Sequence, residues 1–291
     1  MEYISANNTT IPTVTLSTMV KPFAKCGHRQ ALTVIYSTIM LLGGVGGILM
    51  VRTFKSSKSV ITIAVMNLTI AHSLFLLTVP FRLHYYAVGT WEMGLQACNA
   101  VSGMIHCHMY LSFVFYTVII VLRIWSHYGK ENNARFYRNM HAFLASLAVW
   151  VIFLVVVPLV LQFYGHQKGT KDSKQCFHFA NRMENAGVKV FNYMVISVIC
   201  VTAFTLMGLQ VHILLVLLRK KGQDGLVQQQ LNAQMKSLLF ILVLMVCFVP
   251  YQLFRLYYLE HLHLEEVNEL FLTLTALSCV DMLIFLLCWR R

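Results

Sequence analysis

Cys98 and Cys176 can form a disulfide, Arg123 can hold a carboxylate or a carbonyl, and His72 and Asp281 can share a charge or a proton. Each sits in or beside a long apolar run, where lack of water governs the chemistry. Arg123 lies in the segment TVIIVLRIW near the end of its run, and an arginine there must snorkel or find a partner. It is either a positively charged anchor or a functional contact. His72 and Asp281 lie deep in their runs, and such ionisable residues usually face a bundle interior. They either pair with one another or stand apart, His72 neutral on a carbonyl and Asp281 protonated. Pro250, after Cys247-Phe248-Val249, removes a backbone hydrogen bond and kinks its helix, as a static bend or as a hinge. Arg82, His106, Tyr251 and Arg255 fall toward one end of the runs. Two guanidiniums and a histidine suit a carboxylate or phosphate, unless Arg82 and Arg255 pair with acids such as Glu265 or Glu269.

The elements that must position these residues are seven apolar runs, at about 31–52, 60–86, 96–126, 141–164, 188–218, 235–259 and 267–289. A bilayer core about 30 Å thick needs roughly 20 apolar helical residues. Hydrophobic residues make up 58% of the chain and charged residues 12%, against about 25% charged in soluble domains. The expected fold is an all-α membrane protein, a seven-transmembrane helix bundle with its N-terminus outside and its C-terminus inside. Residues 1–30 read as an extracellular, glycosylated N-terminus, 31–289 as the bundle and 290–291 as a truncated cytoplasmic end. Residues 1–30 lack the pattern of a cleaved leader, so the first run is expected to serve as the insertion signal.

With the N-terminus outside, the inner segments hold thirteen Lys and Arg but only Glu131 and Asp224 as acids, whereas the outer segments hold ten bases and eight acids. That is the positive-inside pattern. The net charge of +12 therefore reflects membrane topology, and no nucleic-acid partner is expected. Asn7 and Asn8 begin glycosylation sequons in the polar N-terminus. Asn67 begins a third, but mid-run, where no glycan is expected. Cys98 and Cys176 both fall on the oxidising side, so a disulfide is favoured over two free thiols. Cys107, Cys200, Cys247, Cys279 and Cys288 lie within runs and read as small apolar residues. Cys26 lies outside without an obvious partner. No Cys/His group has metal-ligand spacing, so neither a metal nor a cofactor is expected. No internal repeat supports a transporter built from duplicated halves. No nucleophile with its base supports an enzyme.

Taken in order, the landmarks resemble the rhodopsin-like (class A) G-protein coupled receptors over essentially the whole chain. Cys98 precedes Arg123 by 25 residues, the interval between that family's disulfide cysteine and the arginine of its DRY motif. Trp91-Glu92-Met93-Gly94 is similar to the first outer loop's WxxG, and Asn67-Leu68 with Ala71 to the second helix's NLxxAD. Trp150 is similar to the single tryptophan of the fourth helix. Cys247-Phe248-Val249-Pro250 resembles CWxP, and Asp281 resembles the first residue of NPxxY or DPxxY. The stretch CFVPYQLFR, with Tyr251 and Arg255, is similar to the purinergic-like branch.

The resemblance implies a multi-pass plasma-membrane receptor that carries an extracellular ligand signal to heterotrimeric G proteins, with membrane lipid as its surroundings. It implies an activation switch at Arg123, Phe248, Pro250, Asp281 and His72. It implies a ligand pocket around Arg82, Ile105, His106, Met109, Tyr251 and Arg255. Ile105 stands where amine receptors carry aspartate, so an anionic ligand is expected in place of an amine. Several switch positions depart from the family. Leu122 and Ile124 flank Arg123 in place of an acid and a tyrosine. His72 replaces the second-helix aspartate that binds sodium, and Met282 and Phe285 replace the proline and tyrosine of NPxxY. Loss of the acid beside Arg123 implies basal activity. So many departures also leave open a non-signalling, receptor-like partner that modulates another receptor.

Overall fold

The computed structural model of the chain describes residues 16–53, 60–128, 144–155, 176–177, 186–220 and 225–289. Asn7 and Asn8 lie outside the described residues. Among the described residues every regular element is helical: α1 (Leu16–Thr53), α2 (Val60–Leu76), α3 (Val79–Val88), α4 (Gly94–Tyr128), α5 (Leu144–Val155), α6 (Ala186–Arg219), α7 (Gly225–Val243), α8 (Val249–Tyr258), α9 (Glu265–Ala276) and α10 (Asp281–Trp289). Among the described residues six segments are long and apolar enough to cross a membrane: Gly27–Thr53, Val60–Val88, Gly94–Trp125, Ala186–Arg219, Val227–Tyr258 and Leu262–Leu286. The shorter α5 falls within the expected fourth run, whose remainder lies outside the described residues. α1 starts at Leu16, ahead of the run read from Ala31.

Three of the membrane-length segments are interrupted, and in each the chemistry of the interruption is visible. Pro80 has no N–H to give, so α2 ends at Leu76 and α3 restarts at Val79 with the proline in its first turn. The Thr78 hydroxyl donates to the Phe75 carbonyl at 2.7 Å, recovering an acceptor in the broken turn. The apolar run 60–86 is therefore two helices, not one. Before Pro250 the helix widens into a π turn, Leu244–Phe248, and α8 resumes with Pro250 in its first turn. A π turn makes room for the proline ring and bends the helix. The last segment tightens into a 3-10 stretch, Leu277–Val280, between α9 and α10. There Thr275 donates to the Leu272 carbonyl at 2.6 Å and Ser278 to the Thr275 carbonyl at 2.7 Å. Hydroxyls that bond backward in this way compete with the helical ladder and bend it.

α4 is the most enclosed segment, whereas α1 and α6 are the most exposed. Large apolar side chains such as Leu41, Val201 and Val246 stand more than half exposed on the outside of the bundle. A continuous exposed apolar belt on helices of this length is the surface that lipid covers. α1 approaches α10 closely at Gly46, where an added Cβ would lie 3.0 Å from the Met282 Cβ and 3.1 Å from the Leu283 nitrogen. Small residues allow such backbone contact between helices in lipid. α5 is tied to α2 through Asn67. Its amide donates to Ser146 Oγ at 2.9 Å and its carbonyl accepts from Trp150 Nε1 at 2.9 Å. The Asn67 side chain is thus committed to the bundle.

A disulfide joins Cys98 at the start of α4 to Cys176, with 5.8 Å between the Cα atoms. The neighbouring Phe177 is held at φ +73°, rare for a side chain of its size, and is buried. Its ring meets Tyr85 and Trp91 edge-on, at 5.1 and 5.8 Å between centroids. The Cys176 N–H points at the Tyr85 hydroxyl at 3.5 Å. Trp91 in turn donates to the Gly94 carbonyl at 2.7 Å, and Gly94 turns the chain into α4 at φ +80°. The cross-link thus seats a loop residue in an aromatic socket at one end of the bundle. It closes 78 residues of chain, which corresponds to about 2–4 kcal/mol of constraint on the unfolded state. Cys98→Ser and Cys176→Ser should therefore lower the thermal midpoint of the purified protein equally, and the double variant should fall no further. A double variant that loses the sum of both single effects would show that the two residues act separately.

Candidate functional site

The residues singled out by chemistry fall at three levels along α4. At the disulfide end, Arg82 of α3 is almost wholly buried. Its Nη2 donates to the Val101 carbonyl at 3.0 Å, and its Nη1 to the Tyr36 hydroxyl at 3.3 Å and toward Glu269 Oε1 at 3.8 Å. The guanidinium also lies over the Phe177 ring, 4.4 Å from its centroid, a favourable cation–π placement. Tyr86 donates to the same Glu269 carboxylate, and Thr273 donates to Tyr36 at 3.1 Å. Of the two sequence alternatives for Arg82, pairing with an acid is the one the structure displays. Arg82 is therefore part of a closed network of α1, α3, α4 and α9.

Arg255 behaves differently. On α8 it donates to the Tyr251 hydroxyl one turn earlier and to Asn192 Oδ1 of α6 at 2.5 Å. Both partners are neutral, so among the described residues no carboxylate is seen to bond its charge. Among the described residues its hydrogen-bond partners are an amide and a phenol. His106, half-buried, lies within electrostatic reach of both Arg255 and Arg82, and its Nδ1 lies 3.2 Å from the Ser102 carbonyl. Ile105 and Met109 are buried, and Gln252 approaches the Met109 sulfur at 3.6 Å. Outside the spans, Glu260 accepts from Tyr193 at 2.5 Å and faces Lys189 at 3.5 Å. The Tyr193 hydrogen bond, followed by the Lys189 charge, holds its carboxyl below the usual carboxylate range.

The middle level is polar and dry. His72 and Asp281 do approach, Nε2 to Oδ1 at 3.5 Å, and Tyr116 donates to the other carboxylate oxygen. The far side of the His72 ring meets a residue the sequence reading left out, His108, with Nδ1 and Nε2 2.7 Å apart. Cys279 Sγ lies 3.5 Å from each of those nitrogens. Treating Cys279 as a small apolar residue is therefore corrected: its sulfur faces two imidazoles. The absence of metal-ligand spacing in the sequence does not keep these three residues apart in space. The three residues stand 36 and 171 positions apart on different elements, so no local spacing marks them. Helical periodicity did carry one clue. Ile105, His108, Met109 and Ser112 are i, i+3, i+4 and i+7, and all are buried.

Below this level an aromatic series reaches down the bundle. Phe248 of the π turn meets Tyr116 at 5.8 Å, Tyr116 meets Phe240 at 6.1 Å, and Phe240 meets Phe285 at 5.2 Å. At the far end Arg123 is 8% exposed, and its Nη1 donates to the Ala233 carbonyl of α7 at 3.1 Å. Gln234 returns a 3.5 Å contact to the Arg123 carbonyl, and Gln210 of α6 donates to Gln234 Oε1 at 2.8 Å. Among the described residues Arg123 thus meets a neutral amide and a carbonyl, where a carboxylate would be the stronger partner.

Comparison with known proteins agrees with this arrangement. Residues 46–289 match the family described as 7 transmembrane receptor (rhodopsin family). The chain is 41% identical over 260 residues to Probable G-protein coupled receptor 141 of Homo sapiens, covering 85% of each. It is 24% identical over 307 residues to Probable G-protein coupled receptor 34 of Mus musculus, covering 97% of this chain and 79% of the relative. It is 26% identical over 233 residues to the N-arachidonyl glycine receptor of Rattus norvegicus, covering 78% and 70%. With the cross-linked α4, the membrane-length helices and the buried polar levels already in place, these matches make the chain a member of the rhodopsin family of seven-transmembrane receptors.

Proposed function

We propose that this chain is a plasma-membrane receptor, N-terminus outside and C-terminus inside, that couples an extracellular ligand to heterotrimeric G proteins. The observation that carries the reading is the tether of Arg123 to α7, below a π turn and Pro250 in the same membrane-crossing segment. α7 reaches Arg123 through the Ala233 carbonyl and the Gln234 amide. Swinging α7 away on the bend would free the guanidinium for a partner at the inner face. A ligand drives such a change only by binding one arrangement better than the other, and going from 1:99 to 99:1 takes about 5.5 kcal/mol of differential affinity. Because no acid stands beside Arg123, the closed arrangement is weakly held and basal signalling follows.

Arg255 is the anchor proposed for an acidic ligand, because its neutral partners leave charge for a carboxylate or phosphate to match. Arg82, already facing Glu269, is the weaker candidate. A relative named for N-arachidonyl glycine supports a lipid acid, since an N-acylated glycine keeps its carboxylate. The altered residues Leu122, Ile124, Met282 and Phe285 favour the second reading, a receptor-shaped partner without signalling of its own.

Ligand-free activation of each G-protein subtype should be measured in cells at matched surface level. The expected result is a basal signal that disappears in Arg123→Ala and drops in Leu122→Asp. Background signals from all three chains would favour the silent partner, and a signal that survives Arg123→Ala would remove Arg123 from the switch. Once an acidic lipid agonist is found, Arg255→Ala should reduce its potency about tenfold or more, since a charge-assisted hydrogen bond contributes ~1.5–3 kcal/mol. Unchanged potency at equal surface expression would exclude Arg255 as the anchor.

A further inference from the structure

We propose that His72, His108 and Cys279 form a transition-metal site for Zn2+ in the middle of the bundle. His72 Nδ1, His108 Nε2 and Cys279 Sγ converge from α2, α4 and the 3-10 stretch, with N–N at 2.7 Å and both N–S distances at 3.5 Å. All three ligand atoms lie within 4.8 Å of one another, and the three residues are at most 1% exposed. Two imidazoles and a thiol are the donor set of a borderline-soft ion. Oxygen-seeking Mg2+, Ca2+ and Na+ gain little from it. The rhodopsin-family expectation of a sodium site is thus replaced here by nitrogen and sulfur chemistry.

Two further features fit an ion at this point. A ligating histidine usually passes its other N–H to a carboxylate, which fixes the tautomer and strengthens the ligand. His72 Nε2 faces Asp281 Oδ1 at 3.5 Å, and among the described residues neither atom has a hydrogen-bond partner. Tyr116 holds the other oxygen of that carboxylate in place. The charges also balance. A doubly charged ion with one thiolate and one carboxylate is neutral as a group, as a water-free interior demands. Binding displaces the Cys279 thiol proton to solvent, forms one Zn–S and two Zn–N bonds, and involves no change of oxidation state. Phe75 stacks on His108, 4.5 Å between centroids, and gives the site an apolar wall. An ion here pins α2, α4 and the last segment together, so it stabilises the arrangement seen in this structure.

The test uses the full chain, purified without a histidine tag in lipid nanodiscs, exposed to Zn2+ and then desalted. About one equivalent of zinc should remain by mass spectrometry, with a raised thermal midpoint that Mg2+ does not reproduce. Co2+ in place of Zn2+ should give thiolate-to-cobalt charge-transfer absorption that vanishes in Cys279→Ser. His108→Gln should lose retention, and Asp281→Asn should weaken affinity about 10–100-fold. A folded wild-type chain with no retained zinc and no cobalt band would overturn the site and leave the trio as a hydrogen-bonded cluster. Equal zinc in Cys279→Ser and wild type would overturn it as well. If the variants do not fold, the cobalt spectrum of the wild-type chain decides alone. No ligand or G protein enters the experiment, so its outcome is independent of whether the chain signals.

Discussion

Polar groups inside a lipid-embedded bundle have no water to fall back on, so each must be satisfied by another part of the chain. That constraint explains both the helices and their interruptions. Regular helix satisfies the backbone segment by segment. Where Pro80 and Pro250 break the pattern, the chain responds locally with the Thr78 hydroxyl and with a π turn. Thr275 and Ser278 bend the last segment by bonding backward, and this sets Cys279 and Asp281 at their observed places. The same constraint gathers the side chains. Buried His72, His108, Tyr116 and Asp281 meet because each has a polar atom that lipid would leave bare.

α4 is the common support. Cys98, His108 and Tyr116, and Arg123 lie in order along it, and helical rise places the first and last roughly 37 Å apart. One end is fixed covalently and by an aromatic socket. The middle is a dry polar cluster touching α2 and the last segment. The other end is linked to α6 and α7 by amides and a carbonyl. The strength of connection therefore declines from the disulfide to Arg123.

The two buried arginines near the disulfide end illustrate how environment separates identical side chains. Arg82 faces Glu269 and an aromatic ring, which compensate its desolvation. Among the described residues Arg255 instead bonds a phenol and an amide.

Much of the architecture was legible in the residues. Apolar runs of membrane length, Cys98 with Cys176, and the order of Asn67, Arg123, Trp150 and Pro250 depend on local composition and spacing, which sequence records directly. The approach of His72 to Asp281 was also within reach, because two ionisable residues in one apolar bundle have few places to go. What only the tertiary structure decided is whatever depends on rotation and depth between distant helices. The choice of Glu269 for Arg82 and of Asn192 for Arg255 is one case. The break at Leu77–Thr78, the Arg123–Ala233 tether and the meeting of His108 and Cys279 with His72 are others. The physical reason is common to all of them. Hydropathy states that a helix is buried, but a few tens of degrees of rotation choose which polar neighbours face one another, and packing among all the helices sets that angle.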